Sequence, residues 1–129
     1  MILLKSFYVD ATKGVDLINI GHEVRQAIRE AKMEAGQVLI LVPHPGAAVV
    51  AMETDAKVTE IKKGLEPFLQ NHLIRCFLSR SLMLPVDKGR MSIEPWQEVF
   101  LIDYETSGKR REFRVQLFWE QKEAGEPEF

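Results

Sequence analysis

Two stretches near the C-terminal end, "WQEVFLIDYE" (96–105) and "REFRVQLFWE" (111–120), set the tightest limit on how this chain can fold. Both are rich in aromatic and β-branched residues, which suit the pleated surface of a sheet. In the second stretch Phe113, Val115, Leu117 and Trp119 fall on one side, and Phe118 adds apolar surface to the other. In the first, Val99 and Leu101 oppose Phe100 and Ile102. A strand apolar on both faces needs cover on both faces. A small domain seldom supplies that alone, so the pattern predicts a subunit interface.

Other segments fill in the fold. "ILLKSFYV" (2–9), "VLILV" (38–42) and "AAVVAM" (47–52) read as strands, and so does Ser81 to Val86. "DKGR" (87–90) reads as a hairpin turn. The strands at 38–42 and 47–52 are too close for a crossover helix. If they pair directly, they do so antiparallel through Pro43-His44-Pro45-Gly46. After a short extended piece, Ile20, Val24, Ala27, Ile28 and Ala31 recur at helical spacing, with Asn19 as N-cap and Gly36 as the left-handed residue beyond the end. Residues 56–70 carry Val58, Ile61, Leu65, Phe68 and Leu69 on a second amphipathic helix. Gly64 weakens it, and Pro67 bends or restarts it. One or two helical turns start at His72. The prediction is an α+β domain over 1–120, mostly antiparallel sheet or sandwich with two main helices, and a flexible tail over 121–129.

Charge and cysteine content narrow the function. Seventeen basic residues against nineteen acidic ones give −2, which argues against non-specific nucleic-acid binding. The single Cys76 rules out an intrachain disulfide framework and a zinc ribbon. The start of the chain has neither a secretory leader nor a membrane span, so the expectation is a cytoplasmic protein. Read alone, His44 is a turn residue between two prolines and His22 is solvated in a first helical turn. Cys76 is a small core residue, and Trp96 and Trp119 are packing anchors. Lys109, Arg110, Arg111 and Arg114 form a basic run that reads as a solvated strand face.

The segments "SRSLMLPVDKGRMSIEPWQEVFLIDYE" and "LVPHPGAAV" resemble the YjbQ family. His44 matches the first residue of the family's His-Thr-Thr, and Glu53 falls close to its strand glutamate. His72-Leu73 matches a His-Leu pair, Gly89-Arg90-Met91 a Gly-Arg-Leu turn, and Trp96-Gln97 a Trp-Gln pair. "SGKRREFRVQ" resembles the closing Gly-Pro-Arg-x-Arg strand. The resemblance implies a homotrimer with a site between subunits and a secondary thiamine-phosphate synthase activity. It also implies a divalent metal such as zinc on His44 and His72, with Glu53 as a third ligand or a general base, and Arg90 holding a phosphate.

The departures bear on that chemistry. Pro45-Gly46 replaces two threonines, the loop that carries another family histidine is nearly absent, and Gly64 replaces an acid. Two function classes follow from the resemblance. One is a weak enzyme acting on a phosphorylated small molecule near His44 and His72. The other is a catalytically degenerate trimer that binds a metal, an anion or a partner protein.

Overall fold

The computed structural model describes residues 1–12, 14–54, 58–105 and 110–120, without the side chains of His72 and Ile74. The tail over 121–129 lies outside the described residues, as does Lys109. Strands β1 (Ile2–Asp10), β2 (Asp16–Asn19), β3 (Gly36–Leu41), β4 (Ala47–Glu53), β5 (Ser81–Asp87), β6 (Arg90–Met91), β7 (Gln97–Asp103) and β8 (Arg110–Trp119) form two sheets. One has the order β1-β8-β3-β5-β6 and the other β2-β7-β4. Every pairing is antiparallel.

The inward side chains of the two sheets meet in one core. Val38, Ile40, Phe113, Val115 and Leu117 come from the larger sheet; Val49, Val99 and Leu101 come from the smaller. Helix α1 (Gly21–Ala31) adds Val24, Ala27 and Ile28, three of the residues its periodicity marked. Phe7 stacks on Phe113 with ring centroids 5.3 Å apart. Each fully buried aliphatic or aromatic side chain contributes about 1.5–3 kcal/mol.

The second apolar face of β7 is covered within the chain. Ile102 packs with Ala48, Val15, Tyr104 and Leu69, the last from helix α2 (Val58–Leu69). Helix α2 thus helps to cover this face of β7 from within the chain, so that face does not itself call for a subunit interface. Helix α2 also runs on through Pro67 without a restart, while Phe68 of its apolar stripe is left exposed.

The crossing after β3 settles the pairing that the sequence left open. β3 and β4 do not pair; they lie in different sheets. Pro43 and Pro45 have no N–H for a hairpin ladder and fix φ, so the chain passes over the end of the sandwich. A true hairpin forms at Lys88-Gly89, both at positive φ, as a two-residue turn with the hand of the strand twist requires.

At the end of α1 the left-handed residue is Lys32, with φ 54°, and not Gly36. Gly36 opens β3, where a Cβ would collide with the Phe118 carbonyl of β8. At the other end the N-cap is Ile20 and not Asn19, although Asn19 Oδ1 accepts a hydrogen bond from the Gly21 N–H at 2.9 Å. Helix α3 (His72–Arg75) is a single turn whose surroundings are exposed. Cys76 is therefore a surface residue and not a core one. Trp96, expected as an anchor, is also exposed.

Candidate functional site

The turn 43–46 brings His44 to the junction of the two sheets. Its partner there is Arg111 of β8, which is fully buried. Arg111 donates from Nε to Asp103 at 2.6 Å and from Nη2 to Glu105 at 2.7 Å. Asp103 is equally buried and ends β7 in the other sheet, so the ion pair ties the two layers together. Hydrogen bonding to Asp103 raises the affinity of Arg111 for its proton, against the opposing effect of burial.

Arg111 Nη1 lies 3.3 Å from His44 Nε2. A guanidinium only donates, so Nε2 is the acceptor in this contact. Nδ1 is buried and lies 3.7 Å from Glu105 Oε2, beyond hydrogen-bond reach. The backbone around it is pinned. Tyr104 donates its O–H to the Pro45 carbonyl at 3.1 Å and its N–H to the Gly46 carbonyl at 2.9 Å. Burial raises the Tyr104 pKa. A Cβ on Gly46 would lie 2.6 Å from Glu105 Cβ, so glycine is needed for this approach.

The expected site residues divide between the two ends of β4. His44 precedes the first residue, Ala47; Glu53 is the last. Six residue steps of extended chain put about 20 Å between those ends. Glu53 and His44 of one chain therefore do not form a shared ligand set. No group of three histidines, cysteines or carboxylates suited to a metal occurs among the described residues. Helix α3 lies at the His44 end: Arg75 sits 5.2 Å over the Tyr104 ring, three residues after His72. The imidazole of His72 lies outside the described residues.

At the far end, Glu53 is in register with Gln97. Gln97 lines a cavity of about 370 Å³ together with Arg90, Arg25 and Arg29. Arg25 pairs with Glu98, which is largely buried and accepts from the Val99 N–H at 3.2 Å.

The basic run is not one solvated face. Arg110 is exposed and lies 4.5 Å over the Tyr8 ring, and Arg114 pairs with Glu112 at 3.3 Å. Arg111 points the opposite way. The signal was present: residue 111 shares the parity of Phe113, Val115 and Leu117, the inward row of the strand. Asp103 shares the parity of Val99 and Leu101 in the same manner.

This architecture matches known proteins across most of its length. The family model described as "UPF0047 protein YjbQ-like" matches residues 5–70 and 64–120, and the chain belongs to that family. A UPF0047 protein of Archaeoglobus fulgidus is 24% identical over 115 residues, covering 77% of this chain and 89% of the relative. YugU of Bacillus subtilis, also a UPF0047 protein, is 23% identical over 119 residues, covering 80% and 90%. The crystal structure of a protein of unknown function from Sulfolobus solfataricus shares the fold, with a TM-score of 0.82 at 23% identity. That match covers 91% of this chain and 96% of the other. No helix among the described residues is long and apolar enough to cross a membrane.

Proposed function

We propose that this chain is a metal-independent small-molecule-binding protein that works as a homotrimer, and not a metalloenzyme. One observation carries the reading: the Arg111 guanidinium lies 3.3 Å from Nε2 of His44. That nitrogen faces a guanidinium donor, so a metal could reach it only by displacing the Arg111 contact. Assembly is supported by the apolar side chains around α3, where Leu73 is 74% and Phe77 88% exposed. Ile2, Leu4 and Met83 add to this on the outer face of the larger sheet. Equilibrium dialysis against zinc and nickel tests the metal claim. Metal is expected well below one per chain and unchanged in His44→Ala; stoichiometric metal lost in that variant would overturn it. Light scattering tests assembly, with Phe77→Ser expected to lower the mass.

A second reading, a weak enzyme acting on a phosphorylated small molecule, is favoured by the arginine-lined cavity at the Glu53 end. A thiamine-phosphate synthase-type reaction needs cations on a departing pyrophosphate. Around His44 the one arginine is outnumbered by Asp103 and Glu105, so the charge there opposes that step. Pyrophosphate release from candidate substrates is expected at background level. Turnover abolished by Arg90→Gln or Glu53→Gln would establish this second reading.

A further inference from the structure

We propose that the cavity between helix α1 and the β6–β7 connection is a binding site for a phosphate ester, held by Arg25, Arg29 and Arg90. It rests on the reading of the chain as a binding protein and supplies the chemical class of its ligand.

The three guanidinium groups come from two separate parts of the chain and line one space of about 370 Å³. That volume is within the ordinary range for small-molecule sites. Arg25 and Arg29 are four residues apart on α1 and so share a face, where like charges destabilise a helix. Arg90 adds a third positive charge to the same space. Arg29 complements the C-terminal end of the helix dipole, a role that Arg90 outside the helix does not have.

Among the described residues, no carboxylate pairs with Arg29 or Arg90. Arg25 is anchored by Glu98, whose carboxylate lies where a Cβ on Gly21 would be. Counting Glu98 and the lining residue Glu94, the cavity keeps a net positive charge. Guanidinium forks match the oxygens of a phosphate two at a time.

The frame of the cavity is fixed by backbone. The Gly89 N–H donates to the Glu34 carbonyl at 2.9 Å, tying the hairpin that carries Arg90 to the loop after α1. Gln97 accepts the Glu94 N–H through Oε1 at 3.0 Å, which leaves its amide N–H groups free to donate to a ligand. Met91, Ile93 and Pro95 form an apolar wall. That wall suits the organic part of an ester, which free phosphate lacks.

The test is calorimetric titration of the whole protein with inorganic phosphate, pyrophosphate and phenyl phosphate at fixed ionic strength. Phenyl phosphate is expected to bind saturably and at least several-fold more tightly than inorganic phosphate. The double variant Arg29→Gln/Arg90→Gln is expected to weaken it at least tenfold, with an unchanged melting temperature. Arg110→Gln, on the far side of β8, is expected to bind as wild type. Equal loss in Arg110→Gln, equal affinity for all three anions, or no saturable binding would each overturn the proposal. These outcomes are independent of the metal dialysis, so the two claims fail separately.

Discussion

The two ends of strand β4 carry arginine to opposite effect. At the His44 end, Arg111 is buried and its donors face Asp103, Glu105 and His44. At the Glu53 end, Arg29 and Arg90 stand at the surface around a cavity. A buried guanidinium must be fully matched by acceptors, because an uncompensated charge in the interior costs several kcal/mol. An exposed one carries no such demand and keeps its donors for a ligand. The lesson is that burial decides whether an arginine serves the fold or a partner molecule.

The contrast can be broken by substitution. The largest effect is expected for Asp103→Ala, which strands Arg111 in the interior. Urea unfolding should show a loss of about 3–5 kcal/mol. A loss under about 1 kcal/mol would mean the pair does not hold the sheets together. Next is Gly46→Ala, whose methyl meets Glu105 Cβ at 2.6 Å. About 1–3 kcal/mol is expected from the forced displacement, and unaltered stability would show the turn to be loose.

A pH effect should be smaller. Burial places the Tyr104 pKa above its ordinary value of 10.0. The neutral phenol is favoured in the fold, so this stability is complete below pH 10 and is lost as pH rises through the raised value. Ultraviolet titration of tyrosinate alongside melting checks the coincidence. The smallest effect is expected at the other end: Arg29→Gln should change stability by about 0.5 kcal/mol or less.

Much of this fold was legible in the sequence, because period-2 and period-3.6 apolar patterns report which side of an element is buried. The strands, α1 and the Lys88-Gly89 hairpin follow from such patterns. The partnering of strands does not. The proximity of 38–42 and 47–52 suggested pairing, but two prolines sent the chain across the sandwich instead. Family resemblance singled out His44 and Arg90, yet said nothing of the company each keeps. The basic run masked Arg111, since neighbouring charges suggested solvent while the alternation of its strand put it inside. Asp103 escaped notice because a lone acid at a strand end looks like any other.

Strand β1 pairs along its length with β8, Ile2 opposite Phe118 and Asp10 opposite Arg110. The paired positions are 100 residues apart at Asp10 and Arg110 and 116 apart at Ile2 and Phe118. Contacts between such distant positions form slowly, because the long intervening loop must close first. Closure of this ladder should therefore come late when the denatured chain is allowed to refold.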